Sequence, residues 1–113
     1  MMRDVHKLII FVKSQELIEK IYLLIGNNTV LQKDFSLCDQ IKRASISVSC
    51  NISEGHFRSR KQSKNYLEIA SGSANEVITL LEIIERVYKL KTTKLQEEYL
   101  YLVKQINAFS SKF

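Results

Sequence analysis

A chain of 113 residues fills one compact domain, residues 1–113, and leaves no room for a second, while 45% apolar content supplies a core and excludes a disordered chain. The net charge is +5, and six basic side chains facing one acid between Lys42 and Lys64 account for all of it. A neutral scaffold with one cationic stretch attracts polyanions and steers their approach, which scattered lysines would not do.

Proline is absent and only Gly26, Gly55 and Gly72 occur, so few breakers interrupt the chain and long helices are favoured. The first helix is expected from about Asp4 to Ile25, with Val5, Leu8, Ile9, Val12, Ile21, Leu24 and Ile25 on one broad face. Ile10, Phe11, Leu17, Ile18, Tyr22 and Leu23 make it apolar almost all round, the composition of a helix held between partners rather than lying on a surface. Gly26-Asn27-Asn28 closes it, because Gly and Asn tolerate the left-handed conformation that ends helices. Lys13, Gln15, Glu16, Glu19 and Lys20 interrupt its apolar runs, so neither a signal peptide nor a membrane span is expected, and the cytoplasm is the expected compartment.

The second helix is expected over about 34–54, turning Leu37, Ile41, Ala44, Val48 and Ile52 inward before Gly55-His56-Phe57 breaks the chain. Gln40, Arg43, Ser47, Asn51 and Glu54 form a polar line along one flank, with Ile46 and Cys50 on the side away from the core. Arg43 and Glu54 stand too far apart on one helix to pair, so each is expected to find a partner on another helix or subunit. Burial of both flanks, together with the apolar first helix, predicts a homo-oligomer. The third helix is expected over about 60–90, striped by Tyr66, Ala70, Ser73, Val77, Leu80, Ile84 and Val87 and widened by Ile69, Ala74, Leu81 and Tyr88. Ser71, Gly72, Ser73 and Ala74 form a small-residue patch open to close backbone approach. In the fourth helix, about 93–110, Leu95, Tyr99, Leu102, Ile106, Phe109 and Phe113 alternate spacings of four and three, the seam of bundle packing. Thr93 and Gln96 offer a capping box at its start. Short links between long helices make antiparallel neighbours, so the predicted architecture is all-α: an up-down four-helix bundle.

The run Leu37-x-x-Gln40-Ile41-Lys42-Arg43-Ala44, then Ser47-Val48, then Asn51-Ile52-Ser53-Glu54-Gly55, resembles the signature of the bacterial four-helix bundle proteins associated with 23S rRNA intervening sequences, often labelled S23 ribosomal proteins. Tyr66-Leu67-Glu68-Ile69-Ala70-Ser71-Gly72-Ser73 matches a second segment of that family, while Ser49 replaces a proline the family commonly carries. The resemblance implies a left-handed bundle assembling as a homopentamer, with no established enzymatic activity, and marks Gln40, Arg43, Asn51, Glu54 and Gly55 as structural motif residues. A similar bundle serves as the basic pentameric accessory protein of diversity-generating retroelements, which makes RNA or DNA a natural partner by analogy.

Three function classes divide on the residues. Nucleic-acid binding rests on His56, Phe57, Arg58, Arg60, Lys61 and Lys64, where a loop enters the third helix, with Lys42 and Arg43 upstream. Phosphate contact needs only charge and reach, and Phe57 and His56 can stack on unpaired bases. The second reading is a pentameric scaffold whose basic belt meets an acidic protein partner. Catalysis is disfavoured: His6 and His56 are the only histidines, Cys38 and Cys50 show no C-x-x-C spacing, and no P-loop or Glu-x-x-His motif occurs. No cofactor, metal or membrane contact is expected.

Overall fold

The structure, a computed structural model, describes Val5 and residues 8–113. Within them the chain is all-helical: α1 (Ile9–Gly26), α2 (Thr29–Gln32), α3 (Phe35–His56), α4 (Arg60–Tyr88) and α5 (Thr93–Ser110). The expected first-helix start at Asp4, like His6, lies outside the described residues. Leu8 is extended (φ −76°, ψ 123°), so the helix proper begins at Ile9, later than the sequence indicates. The single turn α2 was not expected; Gln32 Nε2 donates to the Gly26 carbonyl at 2.9 Å and folds it back against the end of α1.

The four long helices pack in a closed cycle, α1 on α3, α3 on α4, α4 on α5 and α5 on α1, within a rod of 47 × 21 × 20 Å. Side-chain bonds tie the ends. Asp34 caps α3 by accepting from the Leu37 N–H at 3.1 Å and also accepts from the Tyr88 hydroxyl at the end of α4, 2.7 Å away. Both bonds hold the Asp34 carboxyl below its ordinary pKa, the Tyr88 bond more strongly. Lys89 closes α4 in the left-handed region (φ 58°). Glu85 then accepts from the Thr92 N–H at 2.8 Å, while the Thr92 hydroxyl donates to the Leu81 carbonyl at 3.0 Å. The capping box expected at Thr93 does not form: the N-cap is Thr92, whose side chain makes no cap bond to α5, and Gln96 Nε2 donates to the Thr92 hydroxyl at 2.9 Å instead.

The core runs the length of the rod, with Leu17, Ile21, Ile41, Val48, Val77, Leu81, Ile84, Tyr99, Leu102 and Ile106 fully buried. Burying each large aliphatic contributes about 1.5–3 kcal/mol over leaving it exposed. The inward stripes of α3 and α5 follow the expected residues and α4 keeps Ala70, Val77, Leu80 and Ile84 of its expected stripe, but α1 is rotated. In α1 the buried face is Ile10, Ser14, Leu17, Ile21 and Ile25, while Ile9 is 71% exposed and Val12 also faces out. A helix apolar all round has no single preferred face, so its polar side chains set the rotation. Lys13 and Lys20, seven residues apart and hence on one side, both reach Glu98 of α5, at 3.4 and 2.7 Å. Ser14 tolerates burial because its hydroxyl donates to the Phe11 carbonyl at 2.6 Å. In α4, Leu67 takes a core place and Ile69 and Val87 turn outward. The small-residue patch divides as well: Ser71 and Ala74 pack inside, Ser73 meets Ser47 of α3 hydroxyl to hydroxyl at 2.9 Å, and Gly72 faces open space.

Candidate nucleic-acid interface

The last turn of α3 runs through Gly55 to His56 instead of breaking at Gly55. The glycine is there for closeness. A Cβ on Gly55 would stand 2.9 Å from Tyr66 Cβ and 3.3 Å from the Ser63 carbonyl oxygen, so α4 begins almost against the backbone of α3. Buried Ser63 fastens this crossing, its hydroxyl donating to the Gly55 carbonyl at 2.5 Å and to the Arg58 carbonyl at 3.3 Å. Only residues 57–59 remain to turn the chain. Ser59 starts α4 as its N-cap, accepting from the Gln62 N–H at 3.4 Å.

This tight connector presents the basic residues. Phe57 is 51% exposed and meets His56 edge to face, with ring centroids 5.2 Å apart. Arg58 pairs with Glu54 one turn back and lies over the Tyr66 ring, 5.8 Å from its centroid; the hydrogen bond it donates to Glu54 holds its guanidinium still more firmly protonated. Arg60 donates to the Lys112 carbonyl at 2.9 Å, binding the start of α4 to the end of α5. Lys61 and Lys64 are exposed and make no ion pair among the described residues.

The other two basic residues of the segment lie elsewhere. Lys42 and Arg43 precede His56 by about four helical turns, roughly 20 Å at 1.5 Å per residue. Lys42 lies over the Tyr22 ring of α1, 4.9 Å from its centroid, and Arg43 pairs with Asp39 on its own helix at 2.8 Å. A stretch contiguous in sequence is thus two separate sites in space, and only residues 56–64 form one surface. The motif residues are likewise satisfied locally. Gln40 is exposed, and Asn51 Nδ2 donates to the Ser47 carbonyl at 2.8 Å. Within this chain Arg43 and Glu54 each find a partner one turn away, not across to another helix, because i,i+4 spacing puts Asp39 and Arg58 in reach.

Sequence reasoning missed a cavity of about 310 Å³ beside the connector. Ile52 and Leu67 form its floor and Leu8, Phe109 and Phe113 its walls, with His56, Phe57, Arg58 and Arg60 around it. Phe109 and Phe113 pack edge to face at 5.4 Å. His56 Nε2 is buried without a hydrogen-bond partner among the described residues. The available signal was the apolar seam of the last helix, which continues to Phe113, three residues past the helix end. Among the described residues, no group of His, Cys, Asp and Glu is placed to hold a metal ion, and no helix is long and apolar enough to cross a membrane.

A family model described as the 23S rRNA-intervening sequence protein matches residues 6–111. The fold is similar to the crystal structure of a protein of unknown function from the S23 ribosomal protein family of Bacteroides thetaiotaomicron. That match has a TM-score of 0.71 and 29% identity, and covers 90% of this chain and 94% of the other. No curated protein matches.

Proposed function

The chain belongs to the 23S rRNA-intervening sequence protein family, and we propose that it is a non-enzymatic, homo-oligomeric up-down four-helix bundle that binds the RNA or DNA backbone through the connector and the start of α4. The observation that carries the binding is the surface of residues 56–64. Arg58, Arg60, Lys61 and Lys64 converge there beside an exposed aromatic ring, and the two lysines make no ion pair among the described residues. Arg58 and Arg60 have local partners in Glu54 and the Lys112 carbonyl, but Lys61 and Lys64 add positive charge near a helix start against the helix dipole, a cost that bound phosphate would offset. Repeated around an oligomer, the surface becomes a belt. Tyr88 with Asp34, and Arg60 with Lys112, each bring the start of one helix to the end of another, which supports the up-down arrangement. Exposed Ile9, Leu23 and Tyr101 supply apolar surface for association of copies.

The test is a titration of labelled RNA and duplex DNA at several salt concentrations, on protein whose mass is fixed by light scattering. Backbone binding gives a log–log slope near −0.9 for each phosphate neutralised on duplex. Lys61→Gln with Lys64→Gln lowers that slope by about two. No binding at low salt refutes the reading and favours an acidic protein partner; a monomeric mass removes the belt.

A further inference from the structure

We propose that the cavity beside the connector receives one unpaired nucleobase while Arg58 and Arg60 hold the adjoining phosphate, so that the surface prefers single strands to duplex; the inference rests on the nucleic-acid reading above. The cavity, about 310 Å³, stands at the small end of ligand sites, which run from about 300 to 1,000 Å³. That is room for one ring system. Its floor is apolar and rigid, since Ile52 and Leu67 belong to the core and Gly55 with Ser63 fixes the crossing above them. The Phe109–Phe113 pair lines one side as aromatic wall.

The polar groups converge on the same space. His56 lines the cavity, and its Nε2 is buried with no partner among the described residues, a costly state that a turn of the ring toward a donor or acceptor on a base edge would relieve. Each arginine carries five N–H donors, and the bonds to Glu54 and Lys112 leave several for phosphate. Phe57, half exposed at the rim, offers a face for the next base. Bases in a duplex are paired and stacked and reach such a cavity only by flipping out, which sets the preference.

The experiment titrates the protein with a short labelled single-stranded oligoadenylate and with a duplex of equal length at matched salt. It is repeated for Phe57→Ala and Phe113→Ala after circular dichroism shows both variants folded. The single strand is expected to bind at least about tenfold tighter, and Phe57→Ala to weaken it about 5- to 100-fold while leaving the duplex unchanged. Adenosine monophosphate alone is expected to shift the His56 ring resonances. Equal affinity for both strands, with both variants silent, overturns the cavity and leaves backbone binding standing. A single-strand preference that survives both substitutions overturns it too. Failure of both nucleic acids to bind removes the backbone reading and the cavity with it.

Discussion

Alanine at two glycines should have opposite effects, although both are helical residues without positive φ. Gly72 lies in the middle of α4 with nothing within 4 Å of an added Cβ. Gly72→Ala therefore gains the full helix propensity difference, about 1 kcal/mol. At Gly55 the same gain is available, but the new methyl meets Tyr66 Cβ at 2.9 Å and the Ser63 carbonyl at 3.3 Å. Neither atom is the end of a flexible side chain, so relief means shifting the start of α4 away from α3. Overpacking of that kind costs about 1–3 kcal/mol, leaving Gly55→Ala between roughly neutral and 2 kcal/mol destabilised. The two variants then differ by about 1–3 kcal/mol, or about 4–12 °C in Tm at about 4 °C per kcal/mol for a domain of this size. Thermal melts by circular dichroism at one fixed protein concentration measure the gap, since self-association would make Tm concentration-dependent. Equal upward shifts would refute the close approach of α3 and α4. A fall for Gly72→Ala would show that its face is covered in the assembled protein.

Tyr99 is fully buried and its hydroxyl has no partner among the described residues; burial pushes that hydroxyl well above the usual phenol range. Tyr99→Phe keeps the ring in place and removes the unsatisfied group, so urea denaturation should show a gain of about 1–3 kcal/mol; a loss of that size would mean the hydroxyl is satisfied by a buried water. Glu98, bonded first to Lys20 and then to Lys13, has its pKa lowered from 4.5. A carboxylate depressed in the folded state stabilises above its unfolded pKa and loses that contribution as pH falls through the folded value. Stability should therefore decline on acidification below about pH 4.5, and Glu98→Gln should flatten that limb; melts of both proteins from pH 6 to pH 3 that run parallel would refute the pairing.

Helix type and approximate extent were legible because period and punctuation agree. Asp34 precedes α3 as its cap, the proline-free run after Ser59, interrupted only by Gly72, gives α4 its 29 residues, and the four–three seam places Tyr99, Leu102 and Ile106 in the core. Helix rotation was not legible in α1, where apolar residues on every side leave Lys13, Lys20 and a distant Glu98 to choose the face. The candidate surface was legible as charge but not as geometry. Lys42 and Arg58 look adjacent in a basic segment, yet the rise of α3 carries them apart, and contributions from α1 and α5 cannot be read from a local window. Gly55 shows the same limit: a helix breaker by composition, it proves to be a contact residue once Tyr66 and Ser63 are seen beside it.

Leu8 and Phe113 line the same cavity, and Arg60 grips the Lys112 carbonyl at its edge. Any peptide attached after Phe113 must therefore start at the mouth of the basic surface. A carboxy-terminal affinity tag would be tethered beside Arg58 and Arg60, and an acidic one would lend them a counterion at high local concentration. Reporter labels and purification handles are better carried on the Lys89–Lys91 connection, at the opposite end of α4 from its first turn, where they leave that mouth open.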